Sequence, residues 1–319
     1  MRIVFMGTPE FAVASLDALV EKGYNVVGVI TMPDKPVGRG LKLQPSAVKQ
    51  YALDRGLSLL QPVSLKDPSF LEQLRALHAD LQVVVAFRML PEVVWNLPPL
   101  GTFNLHASLL PQYRGAAPIN WALINGEKVT GVTTFFLSHE IDTGRILLQE
   151  KCIIHDEDNA GMLHDRLMTM GAKLVVKTVE GILQGTVSSV PQSALHEQGE
   201  LLRSAPKIFR EHCKVDWNCS VDVAGNLIRG LSPYPAAWTE LVAVQGVEPL
   251  RFKLFSCEKV PGSHTLPAGT IRSDNKSFLD VAVADGFIRI TDLQLQGKRR
   301  MKTAEFLNGY SFAEDACFS

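Results

Sequence analysis

Five cysteines are spread over the 319 residues, Cys152, Cys213, Cys219, Cys257 and Cys317, without a CxxC pair. An odd, scattered set is neither a disulfide framework nor a zinc site, and these thiols read as packing residues. The first strand-to-helix turn, GTPEF, lacks the GxGxxG spacing that brings a dinucleotide pyrophosphate against a helix N-terminus, which disfavours a Rossmann-type oxidoreductase. No GxxxxGK[ST] occurs either, so a nucleoside triphosphate would have no phosphate cradle. No apolar run approaches the roughly 18 to 20 residues needed to cross a bilayer. The opening MRIVFMGTPEF reads as a buried strand rather than a cleavable signal, and the expected location is the cytoplasm. One-sided charge is missing too: a formal charge of −1 excludes a broadly basic nucleic-acid binder but leaves local clusters open.

What is present is the composition of a soluble globular protein, 46% hydrophobic and 20% charged, long enough for one large or two ordinary domains. Through the first half, Val/Ile-rich runs alternate with amphipathic ones: RIVFM then EFAVASLDALVEKG, NVVGVIT then SAVKQYALDRG, FLEQLRALHA then LQVVVAF. That alternation predicts an α/β domain, a doubly wound, mostly parallel sheet covered on both faces, with ligands at the carboxyl ends of its strands. Further on come a helix near APINWALING, strands VTGVTTFFL and RILLQEKCII around the turn HEIDTG, and a long helix from about Asn159 to about Gly185. Residues 186–205 lose periodicity and collect small and polar residues, as a linker does. Beyond them, a helical pattern (VDVAGNLIRGL) and runs of period two predict a second, smaller β-barrel-like domain over 206–319. The first domain is expected over 1–185.

The chemistry concentrates in FNLHASLLPQYRG. Successive strand side chains point to opposite faces, so Asn104, His106 and Ser108 share one. An amide, an imidazole and a hydroxyl side by side suit acyl chemistry. Asp142, in HEIDTG at the end of another strand, can reach the same strand-end cleft and hold the imidazole in one tautomer. Ser108 with His106 and Asp142 also admits a nucleophilic triad with a covalent acyl-serine, but no GxSxG elbow presents the hydroxyl. Basic residues gather at Lys35, Arg39 and Lys42, at Arg203, Lys207 and Arg210, and in KRRMK from Lys298 to Lys302.

FNLHASLLPQYRGAAPINWALINGE followed by EIDTG, with IVFMGTPEFA, PDKPVGRGLKLQPSAVK and the late LIRGLSPYPAAW, resembles the methionyl-tRNA formyltransferase family over almost the whole chain. The resemblance implies a formyltransferase-like Rossmann variant followed by an OB-like barrel. It also implies transfer of the formyl group of 10-formyltetrahydrofolate to the amino group of methionyl-initiator tRNA. The amine attacks directly through a tetrahedral intermediate, without a metal. Asn104 and His106 are then expected to stabilise the developing alkoxide, and His106 with Asp142 to move the proton. Substrate contacts are implied for Leu109, Leu110, Pro111 and Ser108, the last either supporting the loop or touching substrate, and on the pterin side for Phe87, Arg88, Met89 and Leu90, where backbone groups flanked by Phe87, Met89 and Leu90 are expected to bind. There the sequence reads AFRMLPEV where the family often has an aromatic followed by glycine. The turn before Asp142 similarly carries His139 and Glu140 where a glycine is expected. The resemblance assigns tRNA contacts to Lys35, Arg39 and Lys42 in a basic loop and to Arg203, Lys207 and Arg210 along the linker, with KRRMK as either a solvated turn or a phosphate contact. The working unit is expected to be a monomer with no membrane partner.

Rival readings keep part of this set. A formyltransferase for an amino sugar nucleotide, or a hydrolase of formylfolate, would also use Asn104, His106 and Asp142. An RNA-binding module on a catalytically silent α/β scaffold would explain the basic clusters and leave that set unused.

Overall fold

A computed structural model describes the chain except for residues 38–41, 196–198, 200 and 243–248, with the backbone alone at Val37 and Lys42. It divides into two compact units. The first holds Met1–Gly115, Val129–Ile153 and His164–Ser204; the second holds Ala116–Lys128, Ile154–Leu163 and Ala205–Ser319. The second unit therefore takes two pieces from the stretch ahead of the linker.

The first unit is built on a seven-stranded sheet. Its order is Ile146–Ile153, Val129–Phe136, Thr102–His106, Leu81–Val85, Arg2–Gly7, Asn25–Ile30 and Leu59–Leu60. The last five strands run parallel, and the first two are antiparallel additions at the Thr102–His106 side. Leu81–Val85 is buried along its whole length, as a central parallel strand covered on both faces must be. Helix Glu10–Glu21 buries Phe11, Ala12, Ser15, Leu16 and Leu19, one stripe of a 3.6-residue repeat. Ser46 starts helix Ala47–Asp54 by accepting the Lys49 amide at 3.0 Å, and Asp67 starts Pro68–Ala76 in the same way with Pro68 in the first turn. The chain leaves Arg2–Gly7 toward one edge and returns to Leu81–Val85 on the other side. The carboxyl ends of these strands form the crevice where the connection order reverses.

Helix Ala160–Gln184 matches the long periodic run. Within the first unit it passes close over the sheet at Gly171, where an added Cβ would lie 2.6 Å from Leu105 Cδ2. Leu105 therefore packs toward the helix, and its neighbours Asn104 and His106 turn to the opposite face.

The second unit carries a six-stranded antiparallel sheet. Its path is Ala237–Leu241, Leu250–Pro261, Gly286–Leu295, Leu279–Val283 and Ile271–Ser273, with Met301–Lys302 also paired to Gly286–Leu295. Residues 316–319 hydrogen-bond to both outer strands: the Val242 and Ile271 amides donate to the Cys317 and Ala316 carbonyls at 2.8 and 2.9 Å. Helix Val221–Leu231, capped by Ser220, packs its apolar face on this sheet around Ala224, Ile228 and Leu231. Helix Pro118–Ile124 belongs to the same unit, with the Asn120 amide donating to the Gly230 carbonyl at 2.7 Å.

Three features differ from the sequence expectation. The basic loop is flanked by an antiparallel hairpin, Lys35–Val37 on Lys42–Gln44. Leu279–Val283 is a strand buried at every residue, including its second, Asp280, whose side chain has 0% exposure between Arg272 and Arg289. The supposed tether is hydrogen-bonded into the first unit: the Val190 and Ile146 amides exchange bonds at 2.8 Å, and Gln192 is buried. All five cysteines are free.

Candidate active site

The strand Thr102–His106 brings Asn104 and His106 to one face at its carboxyl end. Ser108 lies two residues beyond the strand, fully buried, and its hydroxyl donates to the Gln112 carbonyl at 2.6 Å. With no exposed surface and its proton committed, the hydroxyl supports the loop, one of the two roles expected of it. Around it, Thr133 donates to the Ser108 carbonyl at 2.6 Å, and Gln149 donates to the Leu110 carbonyl at 2.7 Å. Leu110 and Pro111 are buried in this brace, while Leu109 is half-buried.

His106, 6% exposed, places Nε2 2.8 Å from the Tyr113 carbonyl. A carbonyl only accepts, so Nε2 carries a hydrogen, and in the neutral ring Nδ1 is the bare nitrogen. Nδ1 faces Asp142 Oδ2 at 3.9 Å, beyond a direct hydrogen bond. The tautomer is thus set by Tyr113, not by Asp142 as the sequence suggests. Asp142 Oδ2 is held by the Gly115 amide at 2.9 Å. A proton arriving at Nδ1 would meet a carboxylate already in place. Gly144 closes the Asp-Thr-Gly turn so tightly against the Phe136 carbonyl that no Cβ would fit.

Two observations distinguish this end of the sheet. Asn104 Oδ1 is buried without a hydrogen-bond partner, a state that costs about 1–3 kcal/mol and is rare in finished structures. Three non-glycine residues at the strand ends, Ala86, Tyr113 and Asp142, have φ of 46°, 60° and 55°. Backbone strain of this kind persists where the surroundings over-determine it, and it gathers at working sites.

The pterin-side segment is split. Arg88 donates from Nη1 to the Val63 carbonyl at 2.8 Å and also to the Pro62 carbonyl, tying this loop down, and burial pulls its guanidinium below the ordinary range. Phe87 packs beside the core, Met89 is 73% exposed, and the Leu90 side chain is buried in the core with Val4, Met6 and Val94. His139 pairs with Glu92 at 3.8 Å and sits edge-on to Trp95.

The basic residues do not form one set. Lys35 is exposed on the hairpin, Arg39 lies outside the described residues, and only the backbone of Lys42 is described. Arg203 belongs to the first unit, where its amide donates to Gln112 Oε1 at 2.9 Å. Lys207 and Arg210 belong to the second, over the rings of Phe209 and Trp238 at 5.5 and 5.6 Å, and Lys214 and Arg251 share the Trp238 ring. In the KRRMK run, Arg300 and Lys302 pair with Asp292 and Arg299 with Glu305. A separate cavity of about 340 Å³, lined by Arg75, His78, Asp80 and Gln82 among others, lies at the amino-terminal end of Leu81–Val85 and includes none of the strand-end residues.

Residues 1–179 match the formyl transferase family and residues 207–311 its C-terminal domain. The chain belongs to the formyl transferase family. A protein of Parabacteroides distasonis named methionyl-tRNA formyltransferase is 62% identical over 311 residues, 97% of this chain and 96% of its own. Among solved structures, an N-formyltransferase from Helicobacter canadensis in complex with folinic acid and dTDP-3-aminofucose shares the fold. Its TM-score is 0.64 at 19% identity, over 94% of this chain and 99% of its own. HypX from Aquifex aeolicus in complex with tetrahydrofolic acid gives a TM-score of 0.62 at 18% identity over 96% of this chain, which spans about half of HypX (47%).

Sequence reading missed two groups at the site of this formyl transferase. Tyr113 contributes a backbone carbonyl, which no side-chain motif reports. Gln192 lies in the segment without periodicity, and its only signal is the apolar Val190 and Pro191 just before it. Among the described residues no cluster of three or more His, Cys, Asp or Glu could hold a metal, and no helix is long and apolar enough to cross a membrane.

Proposed function

We propose that this enzyme transfers the formyl group of 10-formyltetrahydrofolate to the amino group of methionyl-initiator tRNA, as a cytoplasmic monomer. The substrate pair is supported by the 62% identity to a protein of that name across nearly the full length of both chains. The observation that carries the chemistry is the pairing on one strand face of an Asn104 amide, its Oδ1 buried and unpartnered, with an imidazole whose bare Nδ1 faces Asp142 at 3.9 Å.

In this reading the amine forms a new bond to the formyl carbon, and the carbonyl oxygen takes up the negative charge. Asn104 donates an amide N–H to that oxygen, a preorganised contact worth about 2.7 to 4 kcal/mol in the barrier. His106 takes the amine proton at Nδ1, Asp142 stabilises the resulting imidazolium, and the proton passes to the folate nitrogen as its bond to carbon breaks. Leu109, Phe87 and Met89 border the cofactor side. The exposed Lys35 with Arg39 and Lys42, together with Arg203, Lys207 and Arg210, supply phosphate contacts. The binding of residues 316–319 to both outer strands supports a closed, OB-like form for the second unit.

The deciding experiment offers purified protein 10-formyltetrahydrofolate with methionyl-initiator tRNA, uncharged tRNA or an amino sugar nucleotide, and follows which amine is formylated. Formylation of the sugar alone would remove the tRNA substrate. Release of formate with no acceptor modified would make the protein a hydrolase.

A further inference from the structure

Gln192 lies in the segment between the family's two matched regions, yet it is only 4% exposed and all its side-chain bonding capacity is spent inside the first unit. Its Oε1 accepts from Arg114 Nε at 3.0 Å and Nη2 at 2.6 Å. Its Nε2 donates to the carbonyls of Asp142 at 2.8 Å and Gly144 at 2.9 Å. Two acceptor sites and two donors are thereby filled, the full complement of a primary amide. The two partners are the ends of one short path: Arg114 precedes Gly115, whose amide holds Asp142 Oδ2, and Asp142 carries the φ of 55° that the turn must keep.

We propose that Gln192 is a positioning residue for formyl transfer: one linker amide fixes the backbone of the Asp142 turn to the short strand Arg114–Gly115, and so sets the carboxylate opposite His106 Nδ1. This rests on the role given to Asp142 above. Freed of that amide, the turn drops one of the constraints holding its left-handed backbone, and the carboxylate moves relative to the imidazole. A displacement near 1 Å at a reacting group lowers turnover by up to about 100-fold. The linker is then part of the catalytic apparatus.

Gln192→Ala deletes both halves of the bridge. Gln192→Glu, of the same shape, keeps the Arg114 contacts but places an oxygen against the Asp142 and Gly144 carbonyls. Steady-state kinetics with 10-formyltetrahydrofolate and methionyl-tRNA are measured for both variants and for Asp142→Asn with and without Gln192→Ala. The expected result is a fall in kcat of about tenfold or more in each single Gln192 variant, with both KM values within about threefold of the parent. On the Asp142→Asn background Gln192→Ala costs less than about twofold, because the group it positions is already gone. Full activity in Asp142→Asn overturns the role of Asp142 itself. An impaired Asp142→Asn combined with wild-type kcat in Gln192→Glu, or with an undiminished Gln192→Ala loss in the double variant, overturns the positioning role alone.

Discussion

The imidazole of His106 donates its Nε2–H to the Tyr113 carbonyl across 2.8 Å, and this leaves Nδ1 as the edge turned toward Asp142. The carbonyl is itself clamped: the Tyr113 amide donates to the Arg203 carbonyl at 2.7 Å, and Tyr113 sits at a φ of 60°. In the proposed transfer, the direction of proton movement at His106 is therefore set by backbone rather than by the acidic side chain.

Asn104→Ala separates catalysis from stability. Transfer falls by about 10² to 10³-fold in kcat. Thermal stability holds or rises, because the variant removes a buried oxygen that has no partner. A drop of several degrees in the melting midpoint alongside the lost activity would mark Asn104 as structural instead.

Ser108→Ala tests the covalent alternative. The hydroxyl braces Gln112, so its loss destabilises the fold by about 1 kcal/mol and leaves kcat within about threefold. Urea unfolding with parallel kinetics reads both. Abolished turnover in a folded variant, or a trapped formyl-enzyme in the parent, would restore the nucleophilic serine.

Asp280 is expected to contribute to acid stability in the second unit. Burial opposes its charge, but Arg289 and Arg272 outweigh burial and hold the carboxyl below its ordinary value of 3.8; Asp292 is lowered in the same way by Arg300 and Lys302. A carboxyl lowered by folding contributes stability that is complete above its unfolded value and is lost as pH falls through the lower folded one. Asp280→Asn should therefore cost about 1.5–3 kcal/mol at pH 7, a gap that narrows below about pH 4 and closes in stronger acid. Unfolding curves from pH 2 to 7 check the sign; a gap that widens toward acid would contradict it.

Lys35→Ala and Arg39→Ala are expected to raise KM for methionyl-tRNA while leaving KM for the folate unchanged. Each lost phosphate contact should flatten the dependence of log affinity on log salt by about 0.7 to 0.9. Titration of tRNA binding between low and moderate salt measures the slope, and an unchanged slope would remove these residues from the interface.

The parallel sheet was legible because its strands are continuous apolar runs and its helices keep a 3.6-residue stripe. Both signals survive without any knowledge of partners. Leu279–Val283 escaped because Asp280 breaks the apolar run, and only the two arginines brought by neighbouring strands make that burial tolerable. At the site, Asn104, His106 and Asp142 announce themselves by residue type and spacing. Tyr113 acts through a carbonyl that any residue owns, and Gln192 acts from 48 to 50 positions away from the turn it holds.

The helix Pro118–Ile124 follows the LLPQYRG loop in the chain but finds its packing on Val221–Leu231, where a Cβ at Gly230 would lie only 2.7 Å from Ile124 Cγ1. Cutting the chain at the linker would thus not release an autonomous amino-terminal enzyme. It would strand a short greasy segment, together with residues 154–163, outside any core, and such a fragment should clump or need the remaining half added back in trans to become soluble.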